Sequence, residues 1–485
     1  MSDTFEAIVY PQVLHLQMHQ SNYSALFNDS RLERRGEQLL NCLFRGGNTS
    51  SIQSISSNRA EQKAYYRFLR NEKIEEELLI EEMTSRCTKN AAGKVVLAIQ
   101  DGSEINVSSH RNRIRYDESL GPINDSKGIG FKLHPSFVMN AHTYYPYGYS
   151  AIHLWTRPHQ KKVLSEYEHR SSPVSGKSTN IWLESNRKTY ETLSEAKAVI
   201  IVQDREGDFY EQFAEAPEDG KFYLLIRSNH NRLLQQGLKL WNYIDMQPVT
   251  GYYKTIIAKQ LKDKPRKERT VDIQVKVGKV NLKRPQRKSL DLARNSIELT
   301  VIEAREVNSK ESDPVLWRLY TTWPVETLED ACQVIEWYRC RWCIEEVFKV
   351  LKKECFDIES SELESGWAIR KLTLMILDTV VKLFQMSIAY QTPEDEMPDT
   401  KSMFDFKEIE CLEKINIQMQ GNSQKLSNPF PKKDLAWAFW ILARLGGWKG
   451  YTSQRKPGFE TLIKGLNKFY TIYQGFSMEK LVGTQ

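Results

Sequence analysis

The chain has 485 residues, of which 40% are hydrophobic and 27% are charged, and its formal net charge is +6. Such a chain can bury a large core and is long enough for about three domains, which excludes a disordered protein. The excess of positive charge is small, so its position along the chain says more about binding partners than its total.

The cysteines and the first residues indicate the compartment. The seven cysteines are odd in number, and the first residues contain neither a basic start nor an apolar run. We therefore expect reduced thiols in a cytoplasmic protein. The most apolar segment, 372–384, is interrupted by Asp378 and Lys382 and predicts a buried helix without a role in a membrane.

Residues 1–90 are predicted to be helical. Arginines surround an apolar stripe in residues 24–44, and residues 50–71 mix Ser, Asn, Gln and Arg with tyrosine and phenylalanine. This composition suits a helix that contacts phosphates and base edges. It also fits an ordinary helical subdomain with charged faces, because no standard helix-turn-helix spacing is clear.

Two short apolar runs that end in Gln-Asp predict buried strands with a carboxylate at the end of each. They are VVLAIQD, which ends at Asp101, and AVIIVQD, which ends at Asp204. A carboxylate at a strand end is held rigidly at the edge of a sheet, although an aspartate also ends many strands as a turn residue. Because the two runs have the same form, we predict that these aspartates share one function.

The segments around these runs predict a mixed α/β sheet. Residues 137–145 and 149–155 read as a hairpin around a Pro-Tyr-Gly turn at 146–148, and a helix is expected around 180–196. Another helix start follows Asp204, and residues 221–228 read as a strand. The order of strand, hairpin, helix, strand, helix and strand is typical of an α/β fold.

Residues 230–314 alternate in short runs and predict an antiparallel, β-rich insertion. Between Lys254 and Arg294 lie fourteen basic and four acidic residues, so the local excess of 14 − 4 = +10 exceeds the net charge of the whole chain. This concentration favours a polyanionic partner. A solvated face of the sheet is the alternative interpretation.

Residues 327–355 contain neither Pro nor Gly and predict one long helix that begins with a capping box at Thr327 and Asp330. At about 100° per residue, one face of this helix carries a single carboxylate among cations and a tyrosine. Its residues are Tyr338, Arg341, Glu345, Lys349 and Lys352. This face suits either a metal site beside a phosphate backbone or a solvated surface with i,i+4 ion pairs.

Asp101, Asp204 and Glu345 are three acids on separate elements, and we predict that they converge. Three carboxylates can hold two divalent cations, which activate a nucleophile and stabilise the leaving oxygen of a phosphodiester. Hard oxygen ligands select Mg²⁺ or Mn²⁺.

These residues resemble the cut-and-paste DDE transposases of bacterial insertion sequences, in the hairpin-forming IS-four group, over nearly the whole chain. The most specific part is a Tyr-(2)-Arg-(3)-Glu-(6)-Lys signature, present as Tyr338, Arg341, Glu345 and Lys352. VIIVQDREGDFYEQF resembles the second catalytic strand of the family, KAYYRFLRN its end-binding domain, and AWAFWILARLGG its C-terminal region.

The resemblance implies an α/β, RNase H-like catalytic core flanked by helical domains. The expected division is an end-binding domain at 1–90, a core at 91–390 with its β-rich insertion at 230–314, and a C-terminal dimerisation region at 391–485. The implied partners are the inverted-repeat ends of a transposon, target DNA and a second copy of the chain. Such a protein would be associated with the bacterial nucleoid.

The resemblance also implies a reaction sequence. Water nicks one strand, the freed 3′-hydroxyl attacks the opposite strand to make a hairpin, and the reopened end attacks target DNA. An aromatic platform lowers the energetic cost of the unstacked base in the hairpin. By resemblance Trp317 is that platform, although packing in the core would also explain it, and Trp342 is the second aromatic side chain. The residues implied to grip phosphates are Tyr338, Arg341, Lys349, Lys352 and Arg227.

Three other classes of protein fit these residues less well. A host RNase H-like nuclease would lack the signature, and a non-catalytic DNA-binding inhibitor of transposition would be truncated or lack acids. A glycosidase also uses paired carboxylates, but the basic insertion and the absence of repeated strand–helix units argue against it.

Overall fold

The structure is a computed structural model, and it describes most of the chain. The described residues are 23–46, 49–110, 112–123, 128–157, 177–257, 268–285, 294–309, 314–392, 397–420, 427–451 and 456–482, of which 477–482 are described in backbone only.

One eleven-stranded mixed sheet organises the chain. Its strand order is β2-β4-β1-β6-β7-β11-β10-β9-β8, and β3 and β5 also pair with β4. The strands are β1 (Val95–Gln100), β2 (Ser103–Asn106), β3 (Gly121–Ile123), β4 (Gly128–Asn140), β5 (Pro146–Trp155), β6 (Ala198–Gln203), β7 (Phe222–Arg227), β8 (Gly251–Ile257), β9 (Arg269–Lys283), β10 (Ser296–Val307) and β11 (Leu316–Thr321). Only β1–β6 and β6–β7 are parallel pairs among these strands.

Helices cover the sheet and flank it at both ends of the chain. They are α1 (Ser30–Arg45), α2 (Ile52–Ile55), α3 (Arg59–Arg70), α4 (Glu76–Ala91), α5 (Asn180–Thr192), α6 (Tyr210–Glu215), α7 (Leu240–Met246), α8 (Leu328–Arg339), α9 (Trp342–Lys349), α10 (Gly366–Ala389), α11 (Phe406–Met419), α12 (Leu435–Leu445) and α13 (Phe459–Val482). The mixed α/β fold predicted from the sequence is confirmed.

The central strands are buried on both faces, as their continuous apolar runs predict. Leu97 and Ile99 of β1 enter a cluster with α8 and α9, whereas Val96 and Ala98 enter a second cluster on the face covered by α6. Successive residues of a strand point to opposite faces, so each end of β1 and β6 presents one side chain to each cluster.

Helix α10 is the central helix of the larger cluster. It has 24 residues, and by length and composition alone it could cross a membrane, but 89% of its most apolar stretch is buried inside the protein. It therefore belongs to the core, as predicted, although it is longer than the apolar segment 372–384.

The aromatic C-terminal helix α12 packs on its own chain. Trp437, Phe439 and Trp440 are almost fully buried, and α12 contacts α10 and α13. These rings therefore belong to the core of their own chain, and they give no support for a dimer interface.

The prediction of one helix over 327–355 is wrong. The capping box at Thr327 is present, but α8 ends at Arg339, α9 starts at Trp342, and residues 350–354 form a π-helical turn. At the junction, the N–H of Arg341 donates to the carbonyl three residues earlier, on Tyr338, at 3.0 Å. This tighter turn interrupts the α-helix without Pro or Gly, so no sequence signal indicated it.

The predicted hairpin is present, but its turn lies elsewhere. Residues 141–145 connect β4 to β5, and Pro146 is the first residue of β5. The side chain of Asn140 accepts hydrogen bonds from the N–H groups of His142 and Thr143, which closes the turn before the proline. A proline is tolerated at the first position of a strand.

The antiparallel strands of residues 230–314 extend the core sheet through β10 and β11. Half of the basic residues counted there fall in 258–267 and 286–293, outside the described residues. Of the others, Arg269 pairs with Glu306 and Lys279 pairs with Glu326.

Candidate active site

Asp101 and Asp204 lie side by side at the same edge of the sheet. They follow the carboxyl ends of β1 and β6, which are parallel neighbours with Ile99 opposite Val202. Each carboxylate is fixed by the backbone after it, since Asp101 Oδ1 accepts from the N–H of Gly102 and Asp204 Oδ1 from the N–H of Glu206, both at 2.7 Å. The edge where parallel strands end is where α/β sheets hold their ligands.

Arg341 joins the strand end to helix α9. Its Nη1 lies 3.2 Å from Asp101 Oδ2, and its Nη2 lies 2.5 Å from Glu345 Oε1. Glu345 is four residues further along the same helical segment, so both side chains project from one face. We call this three-residue contact the Arg341 bridge, and it places Glu345 beside the two aspartates.

Burial and mutual repulsion raise the pKa values of Asp101 and Glu345. Burial and the neighbouring Asp204 raise the pKa of Asp101 to about 7, although Arg341 opposes the shift. Burial also raises the pKa of Glu345, again against Arg341, and Asp204 adds to the increase. Carboxyl groups with raised pKa values in contact with a cation are typical of functional sites.

The raised pKa predicts how stability without metal depends on pH. The pKa of Asp101 is about 4 in the unfolded chain, as for aspartate in general, and about 7 in the folded protein. Its protonated form therefore stabilises the fold, and that contribution is lost as pH rises from about 4 to about 7. We expect Asp101→Asn to raise the free energy of unfolding at pH 8 by ~1–3 kcal/mol and to leave it less changed at pH 5. Urea unfolding with a chelator measures both values, and an equal effect at the two pH values would contradict the prediction.

The three acids provide the type of ligand that a hard divalent cation prefers. Asp101, Asp204 and Glu345 offer only carboxylate oxygens, which suit Mg²⁺ and Mn²⁺. Across the described ranges, no three His, Cys, Asp or Glu side chains lie close enough to form a ready-made metal site. The guanidinium of Arg341 supplies the positive charge between Asp101 and Glu345, so a cation that takes these ligands has to displace it.

Tyr338, Arg227 and Trp317 line one side of the acids. Tyr338 is buried, and its hydroxyl accepts a hydrogen bond from Arg227. Burial raises the pKa of Tyr338, and the negative charge of Asp204 adds to the increase. The half-buried ring of Trp317 packs edge-on against Tyr338 with 5.7 Å between ring centroids. The three side chains therefore form a continuous wall, in which Trp317 also packs against the core.

Trp342 lies next to the Arg341 bridge. Its side chain is 57% exposed, and the guanidinium of Arg341 lies 5.5 Å from the centre of its ring. An exposed indole next to a cation is available to stack on a base.

The two lysines differ in position. Lys352 Nζ donates to the carbonyl oxygen of Glu104 at 2.8 Å and pairs with Glu359, so it lies against β2, directly after Asp101. Lys349 pairs with Glu346 and Glu354 on its own helical segment, and no contact joins it to the three acids. The ion pairs of Lys349 therefore hold its side chain apart from the three acids.

Some residues at the site were not predicted from the sequence. Glu206 follows Asp204, and burial together with the charge of Asp204 raises its pKa. Gln100 and Gln203 precede the two aspartates, and their side chains hydrogen-bond each other at 2.9 Å. The repeated Gln-Asp pair is visible in the sequence, but the sequence pattern predicted a function for the aspartates alone.

Comparison with protein families identifies two domains in the chain. The model of the transposase DNA-binding family matches residues 19–74, and the model of the transposase DDE domain matches residues 186–377. These matches identify the chain as a DNA transposase with a DDE domain. The matched DDE region contains Asp204 and Glu345, and the matched DNA-binding region contains α1 to α3 of the transposase.

DNA is therefore a partner of the transposase, and DDE domains generally use divalent metal ions. The catalytic and metal-binding roles of individual side chains stay predictions, as do the dimer and the hairpin.

Proposed function

We propose that this transposase moves DNA by a cut-and-paste reaction in which Asp101, Asp204 and Glu345 hold two Mg²⁺ or Mn²⁺ ions. The observation that supports the proposal is the Arg341 bridge, which brings Glu345 to the end of the two aspartate strands. When bound, the ions would supply Lewis-acid activation of water and of the leaving oxygen at a phosphodiester.

The side chains around the acids would bind and orient the DNA strand. Arg227 and Arg341 present guanidinium groups that suit phosphate oxygens, and Tyr338 holds Arg227 in place by a hydrogen bond. Lys352 would contact the backbone on the β2 side, where it already lies close to Ser103. Lys349 is the least supported member of this group, because its ion pairs keep it away from the acids.

The aromatic side chains support a hairpin intermediate. Trp317 packs against Tyr338, and Trp342 is exposed beside Arg341, so two indoles lie near the proposed site. We propose that Trp317 stacks on an unstacked base at the transposon end and that Trp342 supports the second base.

The proposal includes an organisation and a set of partners. Residues 1–90 bind the inverted repeats, residues 91–390 form an RNase H-like core with an insertion at 230–314, and residues 391–485 support a homodimer in the synaptic complex. The buried face of α12 does not supply that contact, so another part of the C-terminal region must.

Cleavage of the DNA that flanks the gene tests the proposed function. Flanking fragments with short inverted repeats are incubated with the transposase in Mg²⁺ or in a chelator. We expect a nick, then a hairpin, then a double-strand break at the repeat, and only with metal. Binding without any nick would indicate an inhibitor of transposition, and cleavage without preference for the repeat would indicate a general nuclease.

The stacking role of Trp317 predicts a separation of steps. We expect Trp317→Ala to nick at a near-normal rate and to reduce hairpin yield by about 10-fold or more, because each lost base–aromatic stack costs ~1–3 kcal/mol. Hairpin yield is measured on denaturing gels. Trp241→Ala is the control, since Trp241 is exposed beside Arg318 and has no contact with the acids. A normal hairpin yield in Trp317→Ala would remove the stacking role.

A further inference from the structure

A buried polar layer lies behind the acids, on the opposite face of the sheet. Gln100 and Gln203 immediately precede Asp101 and Asp204, and alternation along the strands sends their side chains to the face covered by α5. Both glutamines are completely buried. Each strand end thus carries a carboxylate on one face and a carboxamide on the other.

Hydrogen bonds between these amides connect four elements. Gln203 Nε2 donates to Gln100 Oε1 at 2.9 Å and to Asn186 Oδ1 at 3.0 Å. Asn186 Nδ2 in turn donates to Gln212 Oε1 at 2.6 Å. The ends of β1 and β6 are therefore joined to each other and to α5 and α6.

Gln203 also contacts the turn that orients Asp204. A Cβ atom added at Gly207 would lie 2.4 Å from Gln203 Oε1, so this turn packs tightly on the glutamine side chain. Asp204 caps the same turn, Arg205–Gly207, by accepting the N–H of Glu206. A shift of Gln203 would thus displace both the strand end and the cap of Asp204.

The polar layer is costly for stability, which points to another role. Gln100 Nε2 and Gln203 Oε1 are buried without a hydrogen-bond partner among the described residues. Each such atom costs ~1–3 kcal/mol, and apolar side chains of similar volume would fill the space without that cost. Directional amide hydrogen bonds, in contrast, fix the distance between two strand ends that carry repelling carboxylates.

We propose that the Gln100–Gln203 pair sets the separation of Asp101 and Asp204 for cation binding, so the two glutamines are positioning residues of the transposase. The inference rests on the proposed function, because it assumes that these aspartates hold the cations. Both glutamine side chains are fully buried on the face opposite the acids, so neither would touch DNA or an ion. In other metal sites, residues that hold the metal ligands in position without binding the metal also raise the affinity for the metal.

Mn²⁺ binding to the DNA-free protein tests this role. Free Mn²⁺ is measured by electron paramagnetic resonance during titration of the wild type, Gln203→Met and Gln100→Met. We expect both variants to bind Mn²⁺ ~10–100-fold more weakly, with unchanged affinity for transposon ends. Gln203→Met leaves the buried oxygens Gln100 Oε1 and Asn186 Oδ1 without their donor, so its melting temperature should fall. In cleavage assays, the Mg²⁺ concentration for half-maximal rate should rise in parallel, and saturating Mg²⁺ should restore most of the rate.

Thr189→Val is the matched control. Thr189 is on α5 in the same buried layer, and its hydrogen bonds go to Ser150 at 2.9 Å and to Ser136 at 3.3 Å rather than to Gln100 or Gln203. Its substitution should change stability and leave Mn²⁺ affinity as in the wild type. Unchanged Mn²⁺ affinity in both glutamine variants, or an equal loss in Thr189→Val, would overturn the inference. Unchanged Mn²⁺ affinity in Asp101→Ala would instead refute the proposed function.

Discussion

Asp204→Ala should abolish cleavage of transposon-end DNA while the ends are still bound. The carboxylate follows the end of β6 beside Asp101, and its loss would remove one of the three proposed metal ligands. We expect the nicking rate to fall ~10³-fold or more, equivalent to a loss of ~4 kcal/mol of transition-state stabilisation. Asp101→Ala and Glu345→Ala should have effects of the same order. Single-turnover cleavage of labelled ends measures the rate, and a gel-shift assay measures binding.

Glu336→Gln is the control for these three variants. Glu336 is a half-exposed carboxylate on α8, and its ion-pair partner is Arg339. Its substitution should leave cleavage within a factor of about two, because exposed ion pairs of this kind contribute ~0–1 kcal/mol. Cleavage at the wild-type rate by any one of the three acid variants would contradict the assignment of that acid.

Arg341→Ala should change stability and cleavage in a metal-dependent way. Without metal, the substitution leaves Asp101 and Glu345 close together without the cation between them. Removing one partner of a partly buried ion pair leaves an uncompensated charge, so we expect the unfolding free energy to fall by ~1–4 kcal/mol. Mg²⁺ replaces that positive charge, so it should raise the melting temperature more in the variant than in the wild type.

Cleavage by Arg341→Ala should still fall by ~10²-fold at saturating Mg²⁺, because the guanidinium is also expected to bind a phosphate. Arg339→Ala is the matched control, since Arg339 pairs with Glu336 and does not reach the acids. Thermal unfolding with Mg²⁺ and with a chelator compares the two variants. An identical Mg²⁺ response in Arg341→Ala and wild type would show that the arginine and the cation do not compete.

Local patterns were sufficient to predict the parts of the site that depend on one element. The apolar runs before Asp101 and Asp204 predicted two buried strands, and their shared Gln-Asp ending indicated a common edge. The capping box at Thr327 was also correct, because a cap depends only on residues three positions apart. These features are encoded within a few residues, so tertiary packing does not alter them.

Features that depend on packing were not predictable in this way. The break between α8 and α9 comes from a tightened turn in a segment that contains neither Pro nor Gly. The turn before Pro146 depends on the side chain of Asn140, and the growth of the core sheet through β10 depends on pairing with β11. The link from Arg341 to Asp101 joins residues 240 positions apart, which no local pattern can show.

The central position of α10 has a consequence for synthesis of the protein on the ribosome. Arg86 on α4 bonds Asp378, and Glu76 at the start of α4 bonds Arg370, across 292 and 294 residues of chain. The N-terminal helices therefore emerge long before the surface against which they pack has been made. A nascent chain that stalls before Gly366 exposes the apolar faces of α1, α3 and α4 to chaperones and proteases. Production of an active transposase thus depends on completing translation through α10, which makes truncated products targets for degradation.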